Sequence, residues 1–375
     1  MRVLHIKHGF GMDGASKMVD GLACALSPLD VVSDVLVDQP LSDACSTFVD
    51  DVHRQGGTVY SIEDAWGASG KRMPHKLFKL LYTFKVMRRG GYAAVHLQTD
   101  TPSRAQMLMV AKAAGIKVRV AHSHSTSCAA SETELDRQLS YRRKMTKYAT
   151  HYLACSTDAG RWLFSDELVD SGQVKVLNNG IGVALYRFDE GRRRRMREDL
   201  RVDGKLVLSC IGRLTALKNV PFAIDICAEL AARGAEPVLL VVGDGEERNA
   251  LEDYAALAAP EGAVHFLGVR DDIPDLLQAI DVVLMPSRFE GLPVTLVEAQ
   301  AASVPCVVSD AVSREADLAG EMTFLPLGDG MSAWADAVLA RAQEPRSDRS
   351  EAVVRSGFSI DEVARELARI YRGDC

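Results

Sequence analysis

The feature that most constrains the fold is an alternation of short apolar runs with helical patterns, which occurs twice along the chain. Strand candidates in the first half are Val3–Ile6, Val31–Val37, Ala93–Leu97, Val118–Ala121, Tyr152–Ala154 and Val174–Leu177. Those in the second half are Leu206–Ile211, Val238–Val242, Val264–Leu267, Val282–Met285 and Val304–Val308. Strands that alternate with helices favour parallel sheets covered by helices on both faces. The pattern therefore predicts an α/β protein with two doubly wound domains.

The length agrees with two domains, because 375 residues exceed what one hydrophobic core usually holds. We place the boundary within Gly180–Gly204, which gives domains at residues 1–185 and 186–358. Residues 359–375 contain an amphipathic helix that either closes the second domain or crosses back to the first. A cleft between two such domains is the expected place for a small-molecule site.

The composition excludes several classes of protein. No apolar run reaches the ~18 residues that span a bilayer, so we expect a soluble, cytoplasmic protein. The eight cysteines contain no Cys-x-x-Cys pair, which indicates a reducing compartment and no zinc site. The net charge of −7 and the lack of interleaved aromatic residues argue against nucleic acid as a partner.

Two glutamates, Glu290 and Glu298, flank the start of a predicted helix. Glu290 follows the strand candidate Val282–Met285 and so lies at the carboxyl edge of a sheet, where open α/β proteins bind ligands. The helix start between the two acids has free N–H groups and positive dipole character, which suit a phosphate. This arrangement suits a nucleotide-sugar, since such a molecule has hydroxyls on both sides of a diphosphate.

Two cations, Arg213 and Lys218, follow the strand candidate Leu206–Ile211 and a glycine. Cations at that edge can hold a diphosphate and neutralise the charge that grows on it as a bond breaks. Taken alone, two solvated loop cations would be the simpler interpretation. The Glu290–Glu298 segment in the same predicted sheet favours the diphosphate.

Together these motifs resemble the retaining glycosyltransferases of the two-domain GT-B type that share a Glu-x7-Glu motif, known as family 4 or glycosyl transferases group 1. The resemblance implies two Rossmann-like domains facing a cleft. It also implies transfer of a sugar from a nucleotide-diphosphate sugar, UDP- or GDP-linked, to an acceptor hydroxyl with retention of configuration. Similarity to exopolysaccharide and capsule enzymes suggests synthesis of cell-surface polysaccharide or glycolipid.

The resemblance also assigns roles to individual residues. Glu290 lies against the donor sugar, Glu298 binds the ribose hydroxyls, and Arg213 and Lys218 hold the diphosphate. Backbone contacts to phosphate or base are implied for Gly291, Leu292, Pro293, Val294, Thr295, Gly14, Gly243, Gly268, Val269 and Arg270. Near Gly14, Asp13 and Ser16 replace the glycine and glutamate usual in the family.

A histidine at the end of the strand Val118–Ala121 contacts the donor sugar in this family. Both His122 and His124 are candidates, and His124 is preferred because it lies further past the strand. The chain has no Asp-x-Asp pair, which metal-dependent glycosyltransferases use to hold an ion on the diphosphate. We therefore expect neither a metal nor another cofactor.

Two alternatives stay open. Gly9-Phe10-Gly11-Met12-Asp13-Gly14 matches the dinucleotide fingerprint of NAD-dependent oxidoreductases, with Asp34 or Asp38 ~20 residues further on. This alternative explains none of the motifs in the second half. A non-catalytic nucleotide-sugar-binding protein would keep the fold and the binding residues.

The stretch Lys71–Arg89 contains seven Lys and Arg residues and no acid. It predicts a helix with an apolar stripe of Leu77, Leu80, Leu81 and Phe84 and an outer face of Phe78, Tyr82 and Lys85. Such a helix either packs on the core with a solvated basic face or lies on an anionic membrane. With a sugar or lipid-linked acceptor in view, we expect peripheral contact with the inner face of the cell membrane.

Overall fold

The structure is a computed structural model that describes residues 1–9, 14–41, 45–125, 131–290, 292–346 and 348–374, with the backbone alone for residues 14–17 and 132. The chain divides into two compact units. The first combines Met1–Ile181 with Gly357–Cys375, and the second is Gly182–Ser356. The boundaries expected from the sequence were residues 185 and 358.

The first unit contains a parallel sheet with the order β3-β2-β1-β4-β5-β6-β7. Its strands within the described ranges are β1 (Arg2–Lys7), β2 (Val32–Val37), β3 (Val59–Ser61), β4 (Ala94–Thr99), β5 (Val118–Ser123), β6 (His151–Ala154) and β7 (Val174–Val176). Its helices there are α1 (Gly14–Leu26), α2 (Ser46–Arg54), α3 (Ile62–Ala68), α4 (His75–Arg89), α5 (Gln106–Ala113), α6 (Glu132–Tyr148), α7 (Thr157–Leu163) and α8 (Asp166–Asp170).

The second unit contains a parallel sheet with the order β10-β9-β8-β11-β12-β13. Its described strands are β8 (Leu206–Ile211), β9 (Pro237–Val242), β10 (Val264–Gly268), β11 (Val282–Met285), β12 (Cys306–Ser309) and β13 (Thr323–Leu325). Its described helices are α9 (Val183–Tyr186), α10 (Glu190–Leu200), α11 (Val220–Ala232), α12 (Arg248–Ala258), α13 (Ile273–Ala279), α14 (Val294–Ala301), α15 (Gly330–Ala342) and α16 (Ser350–Arg355). The two doubly wound sheets confirm the predicted fold class.

The last helix, α17 (Ile360–Arg372), belongs to the first unit. Its buried stripe packs beside α1 on the first sheet. Backbone hydrogen bonds guide the chain there, from Ile181 N to the Phe358 carbonyl (2.8 Å) and from Ile360 N to the Ile181 carbonyl (2.9 Å). Gly180 makes this approach possible, because a Cβ at this position would lie 2.9 Å from Ile360 Cα.

The segment in which the boundary was placed contains α9 and α10. The arginine-rich helix α10 packs against α13. Arg192 pairs with Asp275 (2.7 Å) and Arg193 with Asp281 (2.5 Å). These ion pairs therefore hold α10 against the rest of the second unit.

The orientation predicted for the basic helix α4 is wrong. Phe78 and Tyr82, expected on its outer face, pack against the core of the first unit, together with Leu80. Leu77 and Phe84, expected on one apolar stripe with Leu80, are exposed. The helix is apolar over much of its circumference, so the sequence pattern alone did not decide which side faces the sheet.

No helix in the described ranges combines the length and the apolar character needed to span a bilayer. The edge strands β3 and β13 were missed in the sequence, whereas β7, which is also three residues long, was found within the candidate Val174–Leu177.

Candidate functional site

An ion pair marks the carboxyl edge of the second sheet. Lys218 follows β8, Glu290 follows β11, and these strands are neighbours. The Lys218 Nζ lies 2.6 Å from the Glu290 Oε1, and the two side chains are 20% and 17% exposed. The backbone also joins the two loops, since Arg288 N donates to the Leu217 carbonyl (2.8 Å). The structure therefore brings together two residues that the sequence analysis assigned to the same ligand.

Glycines allow the loops at this edge to pack closely. Gly243 has φ +129°, and a Cβ there would lie 2.0 Å from the Gly212 carbonyl oxygen. A Cβ on Gly245 would lie 2.3 Å from the carbonyl oxygen of Leu214. A Cβ on Gly212, with φ +150°, would lie 3.0 Å from Lys218 Cε. The Gly-x-Gly after β9 therefore shapes the loop that carries Lys218.

Arg213 occupies a different environment from Lys218. Its side chain is 76% exposed and lies 3.3 Å from Glu246, which is itself 60% exposed. Water screens such a pair, so it holds Arg213 weakly. Arg213 is therefore available to a ligand at the cost of one weak contact.

Glu298 lies inside the second unit. It is on α14, is only 1% exposed, and accepts a hydrogen bond at Oε1 from the Tyr186 hydroxyl (2.7 Å). Burial raises the pKa of Tyr186, and the charge of Glu298 raises it further, so the phenol stays protonated as the donor. A ribose hydroxyl could reach this carboxylate only after a local rearrangement. Tyr186 was missed in the sequence because the contact joins residues 112 positions apart.

The segment assigned to phosphate leads into α14. Leu292, Pro293, Val294 and Thr295 are half-buried, and Gly291 lies outside the described residues. Pro293 stands at the helix start and offers no side-chain cap. The first-turn N–H groups of a helix need partners from outside the helix, which an anion can supply.

The segment assigned to the base follows β10. Gly268 has φ +68°, and its carbonyl accepts a hydrogen bond from Gly243 N (2.7 Å). Val269 is 52% exposed. Arg270 donates from Nε to Asp272 (2.7 Å), so the exposed Val269 side chain lies next to a guanidinium that already has a partner.

The two candidate histidines lie on the same side of the first sheet, at the end of β5. His122 is fully buried, whereas His124 is half-exposed. His124 Nδ1 lies 3.1 Å from the Asn179 side-chain oxygen, and its Nε2 faces the Gln98 amide. Of the two rings, His124 is the one that a ligand can approach without unpacking the sheet.

The dinucleotide fingerprint is only partly described. Gly14 begins α1, while Phe10–Asp13 lie outside the described residues. Asp34, which would bind ribose in an NAD-dependent enzyme, is 1% exposed and accepts hydrogen bonds from Arg2, Tyr92 and Thr58. Asp38 pairs with Lys79 (2.7 Å). Both acids serve the internal structure of the first unit.

The described residues contain no group of three or more His, Cys, Asp or Glu placed to hold a metal ion. Metal independence stays a prediction.

Comparison with known proteins decides the family. The family model for glycosyl transferases group 1 matches residues 205–344. The putative glycosyltransferase EpsF of Bacillus subtilis (strain 168) is 31% identical over 381 residues, covering 99% of this chain and 96% of EpsF. The chain belongs to the group 1 glycosyltransferases. This assignment confirms the enzyme class and sets aside the oxidoreductase alternative.

Two further comparisons agree with a glycosyltransferase assignment. An Escherichia coli UDP-Gal:alpha-D-GlcNAc-diphosphoundecaprenol alpha-1,3-galactosyltransferase is 30% identical over 167 residues, which cover 43% of each chain. The crystal structure of HepE (Alr3699) from Anabaena in complex with UDP matches with a TM-score of 0.75 at 19% identity, over 100% of both chains. The latter match confirms the GT-B fold of this glycosyltransferase.

Proposed function

We propose that this glycosyltransferase transfers a sugar from a nucleotide-diphosphate sugar, UDP- or GDP-linked, to an acceptor hydroxyl with retention of configuration. The acceptor is a sugar or a lipid-linked sugar, and the pathway builds cell-surface polysaccharide or glycolipid on the cytoplasmic side of the membrane. The names of the relatives support this, since one uses UDP-Gal and a diphosphoundecaprenol acceptor. The observation that carries the proposal is the ion pair of Lys218 and Glu290 at the carboxyl edge of β8 and β11.

The pair suggests an exchange of partners when the donor binds. The diphosphate replaces the Glu290 carboxylate beside the Lys218 ammonium, and Glu290 turns to accept a hydrogen bond from a sugar hydroxyl. As the bond between sugar and phosphate stretches, negative charge grows on the phosphate and Lys218 stabilises it. The exposed Arg213 and the first-turn N–H groups of α14 add to this stabilisation.

Positive charge develops on the sugar ring while negative charge grows on the phosphate. A carboxylate next to the ring favours the positive charge that builds there as the leaving group departs. Double displacement would need two acids flanking one bond. Glu298 is held by Tyr186 inside the unit, so we assign the departing diphosphate, and not a second carboxylate, as the base that accepts the proton of the acceptor.

In this proposal Glu298 binds a ribose hydroxyl after the Tyr186 hydroxyl has been displaced. The Tyr186 hydroxyl donates to its carboxylate as a ribose hydroxyl would, over 2.7 Å. Binding of the nucleoside therefore needs displacement of one O–H donor by another of the same chemistry.

A membrane contact is the second part of the proposal. The side chains of Leu77, Leu81 and Phe84 are 49%, 51% and 39% exposed, and their spacing places them on one face of α4. Exposed cations flank this face, namely Lys76, Lys85, Arg88 and Arg89. An apolar face bordered by cations fits an anionic lipid surface, where a lipid-linked acceptor would be found.

The central experiment measures nucleotide release from a panel of UDP- and GDP-sugars, with and without a lipid-linked acceptor, in the presence of a chelator. We expect acceptor-dependent release with one donor, and retention of configuration in the product by NMR. The Lys218→Met variant should lower kcat by about 100-fold. Lys205→Met is the matched control, because Lys205 stands at the amino end of β8 and Lys218 follows its carboxyl end; its rate should stay at the wild-type level.

Two results would contradict the proposal. Binding of UDP or GDP without turnover on any acceptor would favour the non-catalytic alternative. Loss of activity on chelation, restored by a divalent ion, would refute metal independence.

A further inference from the structure

A row of polar rings crosses the first unit from the last helix to the end of β5. The Tyr371 hydroxyl lies 2.6 Å from His96 Nδ1, and His96 Nε2 lies 3.3 Å from His122 Nδ1. The rings of His122 and His124 follow, with centroids 4.3 Å apart. Tyr371, His96 and His122 are buried, and His124 at the end of the row is half-exposed.

Hydrophobic packing does not require these histidines. Side chains two positions apart in a strand lie on the same face of a sheet. The helix α17 covers one face of the first sheet. On that face the strands β1, β4 and β5 contribute the apolar residues Val3, Ala94 and Val120. Two positions further along the same strands stand the imidazoles His5, His96 and His122. The face changes from apolar to polar towards its carboxyl edge, where ligands of parallel sheets bind.

The hydrogen bonds have a preferred direction. Burial lowers the pKa of His96 and His122 well below 6.5, so each ring is neutral and carries one N–H. Burial raises the pKa of Tyr371, so its hydroxyl keeps its proton. Among the described residues, His96 is the hydrogen-bond partner of that hydroxyl, so Tyr371 donates to His96 Nδ1.

The proton positions on the next two rings follow from this donation. His96 must carry its proton at Nε2, from which it donates to His122 Nδ1. His122 then carries its own proton at Nε2, and the backbone of Leu177 favours a proton on this ring. The reverse direction would leave the buried Tyr371 proton without an acceptor, which is costly.

Two neighbours, His122 and Gln98, set the position of His124. The His122 ring lies against the His124 ring, and Gln98, the register partner of His122, hydrogen-bonds His124. We propose that Tyr371 and His96 are positioning residues for His124, because they hold His122 as a neutral ring of one tautomer and one orientation. The inference rests on the proposed function, in which His124 contacts the donor sugar.

The test uses Tyr371→Phe, which removes the hydroxyl and keeps the ring packed beside His5 and His96. In the wild type, ¹⁵N NMR of histidine-labelled protein should show His96 and His122 both protonated at Nε2. The variant should show a second tautomer at both rings. Its kcat should fall about tenfold while KM for the donor changes less than about twofold, the pattern of a group whose effect appears in the transition state.

Tyr92→Phe is the matched control. Tyr92 is another buried tyrosine of the same unit, and its hydroxyl donates to Asp34 (2.6 Å) away from the row. This variant should lose stability and keep both the histidine tautomers and kcat. His96→Leu removes the next member of the row, and the double variant with Tyr371→Phe should be no slower than His96→Leu alone.

Three results would overturn the inference: mixed tautomers in the wild type, unchanged tautomers in Tyr371→Phe, or changed tautomers with an unchanged kcat. The NMR measurement needs no substrate. If the wild type released no nucleotide from any donor, the proposed function would fail, while the tautomers would still decide whether Tyr371 orders the rings.

Discussion

Lys218 and Glu290 form a direct ion pair, 2.6 Å from nitrogen to oxygen, between loops that follow neighbouring strands. Each residue was singled out in the sequence for a different part of the donor, and the structure shows that they hold one another. The pairing positions the Lys218 ammonium before a ligand arrives, because opposite charges at this distance attract each other. It also implies that donor binding and the ion pair compete.

This competition predicts the behaviour of Glu290→Gln. The amide no longer neutralises Lys218, so the diphosphate should bind as well as in the wild type or better. The carboxylate beside the sugar is lost, so kcat should fall about 100-fold. Initial rates over a range of donor concentrations separate the two effects.

The control is Glu252→Gln, which removes a surface carboxylate paired with Arg248 on α12 and should leave both constants unchanged. A raised donor KM with an unchanged kcat in Glu290→Gln would show that Glu290 serves binding alone.

The contact of Tyr186 with Glu298 predicts a coupling between stability and nucleotide binding. In Tyr186→Phe the buried carboxylate loses the hydrogen bond from the Tyr186 hydroxyl, so the free energy of unfolding should fall by about 1–3 kcal/mol. A ribose hydroxyl could then restore the missing donor without displacing the tyrosine. Differential scanning fluorimetry should therefore show a lower Tm and a larger rise in Tm with UDP or GDP than in the wild type.

Tyr254→Phe is the control for this pair. Its hydroxyl also donates to a carboxylate, that of Asp225 (2.7 Å), but on the surface, so little change in Tm is expected. A Tyr186→Phe protein with a normal Tm, or with a normal response to every nucleotide, would separate Glu298 from ribose binding.

Gly243→Ala tests whether the Gly-x-Gly after β9 is needed for backbone packing. The added Cβ would overlap the Gly212 carbonyl oxygen and would sit on a residue with φ +129°. The free energy of unfolding should fall by about 1–3 kcal/mol, the cost of a strained backbone site. The displaced Gly212 loop should also lower the affinity for the donor, measured by calorimetry.

Gly328→Ala provides the comparison, because among the described residues no atom outside Gly328 and its two chain neighbours lies within 4 Å of the Cβ that it adds. Equal unfolding free energies of the two variants would show that the close approach at Gly243 does not constrain the fold.

Much of this architecture was readable in the sequence because it is local. The strands β8, β9 and β11 appear as apolar runs; Gly212 stands directly after β8, and Glu290 lies in the loop that follows β11. A sheet of parallel strands brings their carboxyl ends to one edge, so residues after different strands could be grouped without coordinates. The edge strands β3 and β13 were not predicted, although β7, of the same length, was.

The structural features that the sequence did not predict depend on contacts between residues far apart in the chain. Tyr371 meets His96 across 275 positions, and that contact depends on the return of α17 to the first unit. An amphipathic stripe shows that a helix packs against something, but not against which sheet. The same ambiguity reversed the face predicted for α4, where both candidate faces are apolar. A useful signal was present in the strands, since His5 and His96 each stand two positions after an apolar residue.

The exposed face of α4 predicts binding to anionic vesicles. The double variant Leu77→Ser and Leu81→Ser removes about half-exposed leucines, so stability should hardly change. Transfer of a leucine side chain from water to an apolar environment is worth about 1.5–3 kcal/mol, and partial insertion should still make the double variant bind at least about tenfold more weakly. Sedimentation with phosphatidylglycerol vesicles, compared with phosphatidylcholine, measures this.

Leu257→Ser is the matched control, since Leu257 is 88% exposed on the second unit and should not affect vesicle binding. Equal binding of the wild type to both lipids, or equal binding by the double variant, would refute the contact through α4.

The buried histidines predict that the first unit loses stability in mild acid. Burial lowers the pKa of His5 to about 4 and that of His96 well below 6.5, whereas both rings recover ordinary values near 6.5 on unfolding. Below pH 6.5 the unfolded chain therefore binds protons that the folded chain excludes, and each ring lowers the unfolding free energy by up to about 1.4 kcal/mol per pH unit until its folded pKa is reached.

Hydrogen exchange of β4 and β5 between pH 7 and pH 5 reports this local stability. His5→Leu should make the slope shallower by about one proton, because the titrating ring is removed. Among the described residues neither buried ring nitrogen of His5 has a hydrogen-bond partner, so an apolar side chain fits the same face. Replacement of the exposed His53 with Leu is the control, and equal slopes for the two variants would show that His5 takes up its proton over the same pH range in the folded protein as in the unfolded chain.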